Sequence, residues 1–149
     1  MRAVVQRINR GNISVEEKTV ASVERGLLVY LGIGRGDSEK DAKYLADKII
    51  NLRIFPDEAG VMNRSLLQNG GRILVVSQFT LYGDTRKGRR PSYNRAAGPE
   101  SGKALYNYFM KVIEQAGIEV ESGVFQAHMK VTSTNDGPVT ILIDSHKEF

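Results

Sequence analysis

Hydrophobic and polar residues alternate along most of the first third of the chain. Four short segments follow this strand-like pattern, RAVVQRI, NISVE, KTVASV and GLLVYLGI, and the pairs Arg10-Gly11, Glu17-Lys18 and Arg25-Gly26 separate them. Closely spaced short strands predict an antiparallel meander. The last third returns to the same pattern in IEVES, AHMKVTST and VTILIDS. The turn-forming sequence NDGP between the last two segments predicts a hairpin.

Two segments change to the period of a helix. In the first, GDSEKDAKYLADKIINLRIF, apolar residues recur at helical spacing, and Ser38 with Asp41 forms a capping-box pattern at its start. In the second, PESGKALYNYFMKVIEQAG, Pro99 favours a helix start, and Gly117 favours a helix end. Both segments therefore predict amphipathic helices.

Residues 72–81, which carry the apolar run Ile73 to Val76 near their start, lie between the two helices and predict a buried strand. The resulting order is several strands, helix, strand, helix and several strands. This order predicts the α+β class, with a mostly antiparallel, barrel-like curled sheet and two main helices. Residues 1–149 are expected to form a single domain, because the length and the 41% of hydrophobic residues suit one core.

Composition restricts the chemistry that the chain can perform. With no cysteine and only two histidines, disulfides, thiolate metal sites and cysteine nucleophiles are excluded, and little remains for a zinc site. We expect no cofactor and no metal, so catalysis must rest on oxygen groups, backbone amides or the substrate itself. The net charge of +4 favours an anionic partner.

No stretch of about 18 apolar residues occurs, and the first 15 residues alternate between apolar and polar instead of forming an export signal. We therefore expect a soluble, cytoplasmic protein with no membrane partner.

The end of the buried strand carries unexpected polar residues, Ser77, Gln78 and Thr80. A serine triad would need a histidine base, but neither His128 nor His146 lies in a recognisable motif. Backbone N–H groups at the strand end are another resource, because they can stabilise an oxyanion during acyl transfer. The alternative is that these polar residues only face solvent.

Two loops are candidate phosphate-binding sites, and only the second has suitable residues. The segment GIGRGD, residues 32–37, lacks the glycine spacing and the lysine of phosphate-binding loops, so it predicts a flexible turn. The segment TRKGRRPSYNR, residues 85–95, is different because its cations stand beside Tyr93, which suits RNA phosphates and base stacking. Its proposed RNA-binding residues are Arg86, Lys87, Arg89 and Arg90. The alternative is an ordinary solvated loop.

The pairing of SQFTL with NDGPVT about sixty residues later resembles the D-aminoacyl-tRNA deacylase family. The resemblance extends over nearly the whole chain, through MRAVVQR, GLLVYLGI, LADKIINLRIFPDEAG, MNRSL, SQFTLYGDTRKGRRPSY, LYNYF, GVFQAHMKV and TNDGPVTILID. Two residues depart from the family pattern. Val61 replaces an expected lysine, and Gln126 replaces an expected glycine. Both departures concern local loop geometry, because neither lies in the two motifs.

The resemblance implies hydrolysis of the ester bond of D-aminoacyl-tRNA, and of glycine mischarged on the alanine tRNA, to free amino acid and tRNA. It also implies a homodimer in which each active site combines SQFTL of one chain with a cis Gly-Pro turn of the other. The implied catalytic residues are Ser77, Gln78, Phe79 and Thr80, with backbone oxyanion donors at Phe79 and Thr80. The implied substrate-binding residues are Met129, Gly137, Pro138 and Val139.

The resemblance leaves the role of Thr80 open. Thr80 is either a nucleophile or a positioning residue, and in the second case the terminal 2′-OH of the RNA and a water molecule perform the reaction. We favour the second, since the sequence supplies no obvious base for Thr80. Two other functions remain as hypotheses: a non-catalytic RNA-binding module that uses the basic loop, and a serine hydrolase of small esters that depends on His128.

Overall fold

The computed structural model describes all residues, 1–149, as eight strands and three α-helices. The strands are β1 (Arg2–Val15), β2 (Lys18–Val23), β3 (Gly26–Gly32), β4 (Phe55–Pro56), β5 (Met62–Arg64), β6 (Arg72–Ser77), β7 (Glu119–Ser122) and β8 (Lys130–Asp144). The helices are α1 (Glu39–Ile50), α2 (Leu66–Asn69) and α3 (Pro99–Gln115).

The main sheet has six strands in the order β2-β1-β3-β6-β7, with β8 on the other side of β1. Strand β1 pairs antiparallel with β2, β3 and β8, whereas β3 with β6 and β6 with β7 are parallel. The parallel pairs arise because α1 connects β3 to β6 and α3 lies between β6 and β7, as crossover connections require. Strand β2 also contacts β6 and β7, which curls the sheet towards a barrel. The predicted α+β class is confirmed.

Strands β3 and β6 are buried on both faces, which explains their nearly continuous apolar sequences. Leu27, Val29 and Leu31 belong to a large core under α1 and α3, and Leu28 belongs to a second cluster on the opposite face, inside the curled sheet. The alternating residues of β6 divide between the two cores in the same way. The two parallel strands are therefore the rigid centre of the protein.

The predicted break at Arg10-Gly11 is wrong, because β1 continues through it. A Cβ atom at Gly11 would lie 3.0 Å from Ile8 Cδ1 and 3.1 Å from Leu74 Cδ2. The glycine therefore allows close packing inside the curled sheet instead of a turn.

The predicted hairpin at NDGP is also wrong. Ile8 pairs with Asn135 and Gln6 pairs with Thr140, so residues 136–139 bulge outward opposite a single residue of β1, Arg7. The chain keeps its direction on both sides of this bulge. Turn-forming residues also occur at bulges, and sequence alone did not separate the two cases.

Both predicted helices are present with the expected ends. The capping box of Ser38 and Asp41 precedes α1, and Pro99 is the first residue of α3. Gly117 follows the end of α3 with a φ of +86°, a backbone conformation that favours glycine. None of the helices has the length and apolar composition needed to cross a membrane.

The sequence pattern did not reveal three short elements. Strands β4 and β5 form a small separate hairpin, and Val61 lies exposed in the turn between them. Helix α2 has its own capping box, made by Ser65 and Gln68. These elements are too short for periodicity to identify.

Candidate active site

A cavity of about 670 Å³ opens where the parallel strands β3 and β6 end. Most of the residues that line it are apolar. Its walls come from the ends of β3 and β6, the start of α3, residues 125–129 and the start of β8. Its lining includes Arg35, Ser77, Gln78, Phe79, Tyr93, Gly102, Phe125, Gln126, His128 and Met129.

The predicted strand over residues 72–81 ends early, at Ser77. The N–H of Gln78 donates to the carbonyl of Leu31 at 2.8 Å, and residues Phe79–Tyr82 then form a 3-10 turn. The first N–H groups of such a turn have no acceptor within it. The N–H groups of Phe79 and Thr80 therefore stand without an acceptor at the start of this turn, and Phe79 itself lines the cavity.

The side chains of the SQFTL segment separate into two groups. Ser77, Gln78 and Phe79 line the cavity, whereas Thr80 does not. The amide nitrogen Nε2 of Gln78 donates to the Thr80 Oγ1 atom at 2.5 Å, and no acidic or basic side chain bonds to this hydroxyl. Thr80 therefore has no base that could activate it as a nucleophile within this chain.

Phe79 connects the turn to the basic loop. Its ring meets the ring of Tyr93 edge to face, with centroids 5.0 Å apart and planes 73° apart, yet 57% of the Phe79 residue surface is exposed. Such a solvent-facing pair of rings can receive the flat face of a base.

Residues 125–129 form the opposite wall. Met129 lies in this wall, and a Cβ atom at Gly123 would come within 2.4 Å of its sulfur, so the two residues pack closely. Gln126, which replaces the glycine of the family pattern, has a φ of +64°. This left-handed conformation is one that glycine adopts more easily.

The structure does not bring Gly137, Pro138 and Val139 to the cavity of their own chain. They lie in the bulge of β8, where the Gly137-Pro138 peptide is cis, as the resemblance implies. The side chain of Asn135 closes this bulge by accepting the Val139 N–H at 3.2 Å.

Arg7 supports the bulge from β1. Its guanidinium lies 2.9 Å from the Asp136 carboxylate and donates to the Ile54 carbonyl at 2.5 Å. A Cβ atom on Gly137 would lie 3.0 Å from Arg7 Nη2, so only glycine fits here without displacement.

The cations of the basic loop are not equivalent. Arg86 binds the Asp84 carboxylate through two nitrogens, at 2.5 Å and 2.9 Å, and holds the pKa of Asp84 well below its usual range. Lys87, Arg89 and Arg90 are exposed and pair with no carboxylate. These three charges are free for an anionic partner.

Arg35, which no motif in the sequence singled out, also lines the cavity. It lies in the GIGRGD segment, where the glycine spacing drew attention away from the single cation. Its backbone N–H donates to the Arg95 carbonyl at 2.8 Å, which joins this segment to the basic loop. A single cation in a turn that joins a strand to a helix was the feature of the sequence that could have indicated this residue.

Neither histidine forms a catalytic triad with Ser77. His128 is exposed at the cavity wall and has no hydrogen-bond partner, so no carboxylate orients its ring. His146 lies outside the cavity, with its Nε2 atom 2.9 Å from Asp37 Oδ1. The arrangement that a serine hydrolase needs is therefore missing.

His146 belongs to a polar cluster around the α-amino group of Met1. This ammonium is buried and donates to Asp37 Oδ1 at 2.7 Å and to Ser145 Oγ at 2.6 Å. Asp41 lies beside this cluster. Partial burial opposes its ionisation, but hydrogen bonds from the Ser38 side chain and backbone dominate and lower the pKa of Asp41 to about 2.

Comparison with known proteins places these features in one family. The family model described as D-Tyr-tRNA(Tyr) deacylase matches residues 4–144. The D-aminoacyl-tRNA deacylases of Thermotoga petrophila and Thermosipho africanus are 56% and 57% identical to this chain over 149 residues, with both chains fully covered.

Solved structures share the same fold. The c-Myc DNA Unwinding Element Binding Protein has a TM-score of 0.91 and 36% identity, covering 97% of this chain and 98% of that chain. A probable eukaryotic D-amino acid tRNA deacylase has a TM-score of 0.81 and 21% identity, covering 95% of this chain and 97% of that chain. The full-length match to the family model and to curated relatives shows that this chain belongs to the D-Tyr-tRNA(Tyr) deacylase family.

Proposed function

We propose that this protein hydrolyses the ester bond of D-aminoacyl-tRNA and releases the free D-amino acid and the tRNA. The observation that supports this most directly is the mostly apolar cavity lined by Ser77, Gln78 and Phe79, where the 3-10 turn begins. The cavity suits the terminal adenosine of the tRNA, and the turn offers donors for the ester carbonyl.

The chemistry needs little from side chains. A water molecule adds to the ester carbonyl carbon, and the resulting oxyanion accepts hydrogen bonds from the Phe79 and Thr80 backbone. The bond between the carbonyl carbon and the ribose oxygen then breaks, that oxygen takes the proton that the attacking water gave up, and the amino acid is released with its carboxyl group, which ionises in solvent. We assign activation of the water to the neighbouring 2′-OH of the RNA, because the Thr80 hydroxyl has only the Gln78 amide as a partner.

The remaining pocket residues position the substrate in this proposal. Ser77 and Gln78 lie at the polar end of the cavity beside the reacting ester, and Met129 provides an adaptable apolar wall. Lys87, Arg89 and Arg90 bind RNA phosphates, with Arg86 beside them. We take residues 1–149 as one domain, and the cytoplasm as the location where aminoacyl-tRNA is encountered.

We infer that the active site is completed by a second copy of the chain. The bulge with Gly137, Pro138 and Val139 lies away from its own cavity, and β8 pairs only with β1, which leaves its other edge open. In a homodimer the bulge can reach the cavity of the partner. The Gly137 and Pro138 carbonyls then bind the substrate ammonium, so that a D side chain points to solvent and an L side chain collides with the bulge.

This selection by rejection extends to glycine, which has no side chain to reject. We therefore include glycine mischarged on the alanine tRNA among the substrates.

Release of amino acid from D-tyrosyl-tRNA and from L-tyrosyl-tRNA tests the activity. We expect rapid release from the D ester and little from the L ester. Equal rates for both, or no release from either, would refute the proposal. An RNA-binding module without catalysis would bind both tRNAs and release nothing, and a small-ester hydrolase would lose activity on His128→Ala.

Mixing two inactive variants tests the composite site. Gly102→Leu fills the cavity, and Gly137→Ala disturbs the bulge. After exchange of subunits, about half of the dimers are mixed, and each mixed dimer has one site with both halves intact. We expect the mixture to regain about a quarter of the wild-type activity. Each variant alone, taken through the same exchange at the same total protein concentration, is the control, and an inactive mixture would show that each chain completes its own site.

A further inference from the structure

A second, smaller pocket of about 170 Å³ adjoins the large cavity. Arg35 is the residue that lines both. In contrast to the cavity, this pocket is polar, and its other lining residues are Gly34, Asp37, Tyr82, Asn94, Arg95 and His146. Arg35 therefore stands where the apolar cavity meets a pocket lined mostly by polar residues.

Among the charged residues around this boundary, Arg35 is the one without an ion-pair partner. Arg95 donates to the Glu148 carboxylate at 2.5 Å, which satisfies that cation. Asp37 is neutralised by the Met1 ammonium at 2.7 Å and also accepts the Gly34 N–H at 2.6 Å. Arg35 is exposed and pairs with no carboxylate. Its charge is available to an anion at the boundary.

The segment that carries Arg35 is firmly placed. Its N–H donates to the Arg95 carbonyl at 2.8 Å, and the adjoining Gly34 forms a bridge with Ala96. A Cβ atom on Gly34 would lie 2.6 Å from the Tyr82 hydroxyl, so the backbone packs closely against that ring. Little backbone freedom is lost when Arg35 binds a ligand.

We propose that Arg35 binds the phosphodiester on the 5′ side of the terminal nucleoside and that the smaller pocket receives the preceding nucleotide. This inference rests on the proposed function, which puts the terminal nucleoside in the large cavity. The RNA chain must leave that cavity through its 5′ oxygen, and a guanidinium at the boundary can bind two phosphate oxygens at once. Asn94 supplies an amide to the nucleotide beyond.

Short ester substrates of increasing length isolate the role of Arg35. The substrates are the D-tyrosyl esters of adenosine, of 5′-AMP and of the dinucleotide CpA. For Arg35→Gln we expect KM to rise about tenfold on the 5′-AMP and CpA esters, with kcat within about twofold and no change on the adenosine ester. Arg25→Gln is the matched control, since Arg25 is also exposed and unpaired but precedes β3, at the opposite end of that strand.

Two further measurements test the pocket itself. Asn94→Ala should raise KM on the CpA ester a few fold and leave the 5′-AMP ester unchanged. The slope of log KM against log salt for D-tyrosyl-tRNA should decrease by about 0.7 in Arg35→Gln, the value for one phosphate contact on single-stranded RNA. Arg35→Lys should recover part of the loss.

The outcomes separate this inference from the proposed function. If the wild-type protein cleaves neither D-tyrosyl-tRNA nor any of the short D esters, the proposed function fails. If it cleaves them and Arg35→Gln is equally impaired on all three, or on none, the assignment of Arg35 to the phosphodiester is wrong.

Discussion

Replacing Gly102 by alanine should stabilise the protein and at the same time narrow the proposed substrate cavity. Gly102 lies in α3, and its N–H donates to the Gly98 carbonyl at 2.8 Å. A Cβ atom here would lie 3.5 Å from Phe125 Cζ and 3.9 Å from Ala97 Cβ, which are ordinary contacts. A methyl group therefore fits at this position, but it reduces the volume of the cavity.

The magnitude follows from helix propensity. Alanine is better than glycine inside a helix by about 0.5–1 kcal/mol, and no steric penalty reduces this gain. For a chain of this length we expect the Tm to rise by roughly 1–4 °C. Gly117→Ala should have the opposite sign and lose about 1 kcal/mol, because its φ of +86° penalises a side chain even though no atom lies within 4 Å.

Urea unfolding at one fixed protein concentration measures both variants, and an unchanged m-value shows that the midpoints report stability. The rate of D-tyrosine release from D-tyrosyl-tRNA measures how the narrowed cavity affects turnover of the substrate. Gly102→Leu should fold and lose at least about tenfold in kcat/KM, because its side chain occupies space assigned to the nucleoside. A destabilised Gly102→Ala refutes the packing argument, and a fully active, folded Gly102→Leu refutes the assignment of the cavity to the substrate.

The other predictions concern three residues. Thr80→Ala should retain at least about a tenth of the wild-type kcat, since Thr80 only receives a hydrogen bond from Gln78; complete loss of turnover with tRNA binding intact would make it the nucleophile. Asp41→Asn should cost about 1 kcal/mol at pH 7, after allowance for partial exposure. Because its pKa is lowered, the ionised Asp41 carboxylate stabilises the fold at pH values above 3.8, the ordinary pKa of the group. In acid titrations the free energies of unfolding of the two proteins should therefore converge as the pH falls from 3.8 to about 2. A difference that persists below that pH contradicts the assignment. Gln126→Gly should stabilise by up to about 1 kcal/mol in urea, because glycine adopts a φ of +64° without strain, and a clear destabilisation would show that the glutamine side chain compensates.

The sequence was sufficient for the helices and the central strands because their signals are local. The capping box at Ser38, Pro99 at the start of α3 and Gly117 after its end mark the boundaries directly. The uninterrupted apolar run of β6 reflects burial on both faces, and its short length between breaker residues indicates a strand.

The errors arise where a residue serves a distant contact. Gly11 resembles a turn residue, yet its missing side chain makes room for Leu74 from another strand. Residues 136–139 have turn chemistry, but pairing of β8 with β1 on both sides makes them a bulge. Residue chemistry alone left the polar SQFTL segment a weak candidate, which the family resemblance strengthened, because the cavity beside it is built from segments far apart in sequence.

The distance between the β8 bulge and the cavity of its own chain has a consequence for the amount of enzyme in a cell. If each catalytic unit needs two copies, activity falls with the square of protein concentration once the copies separate. A modest reduction in expression would then remove a larger share of the proofreading capacity. The proposed specificity for D-amino acids would be lost together with the activity, because the proposal gives one bulge both roles, rejecting L side chains and holding the substrate.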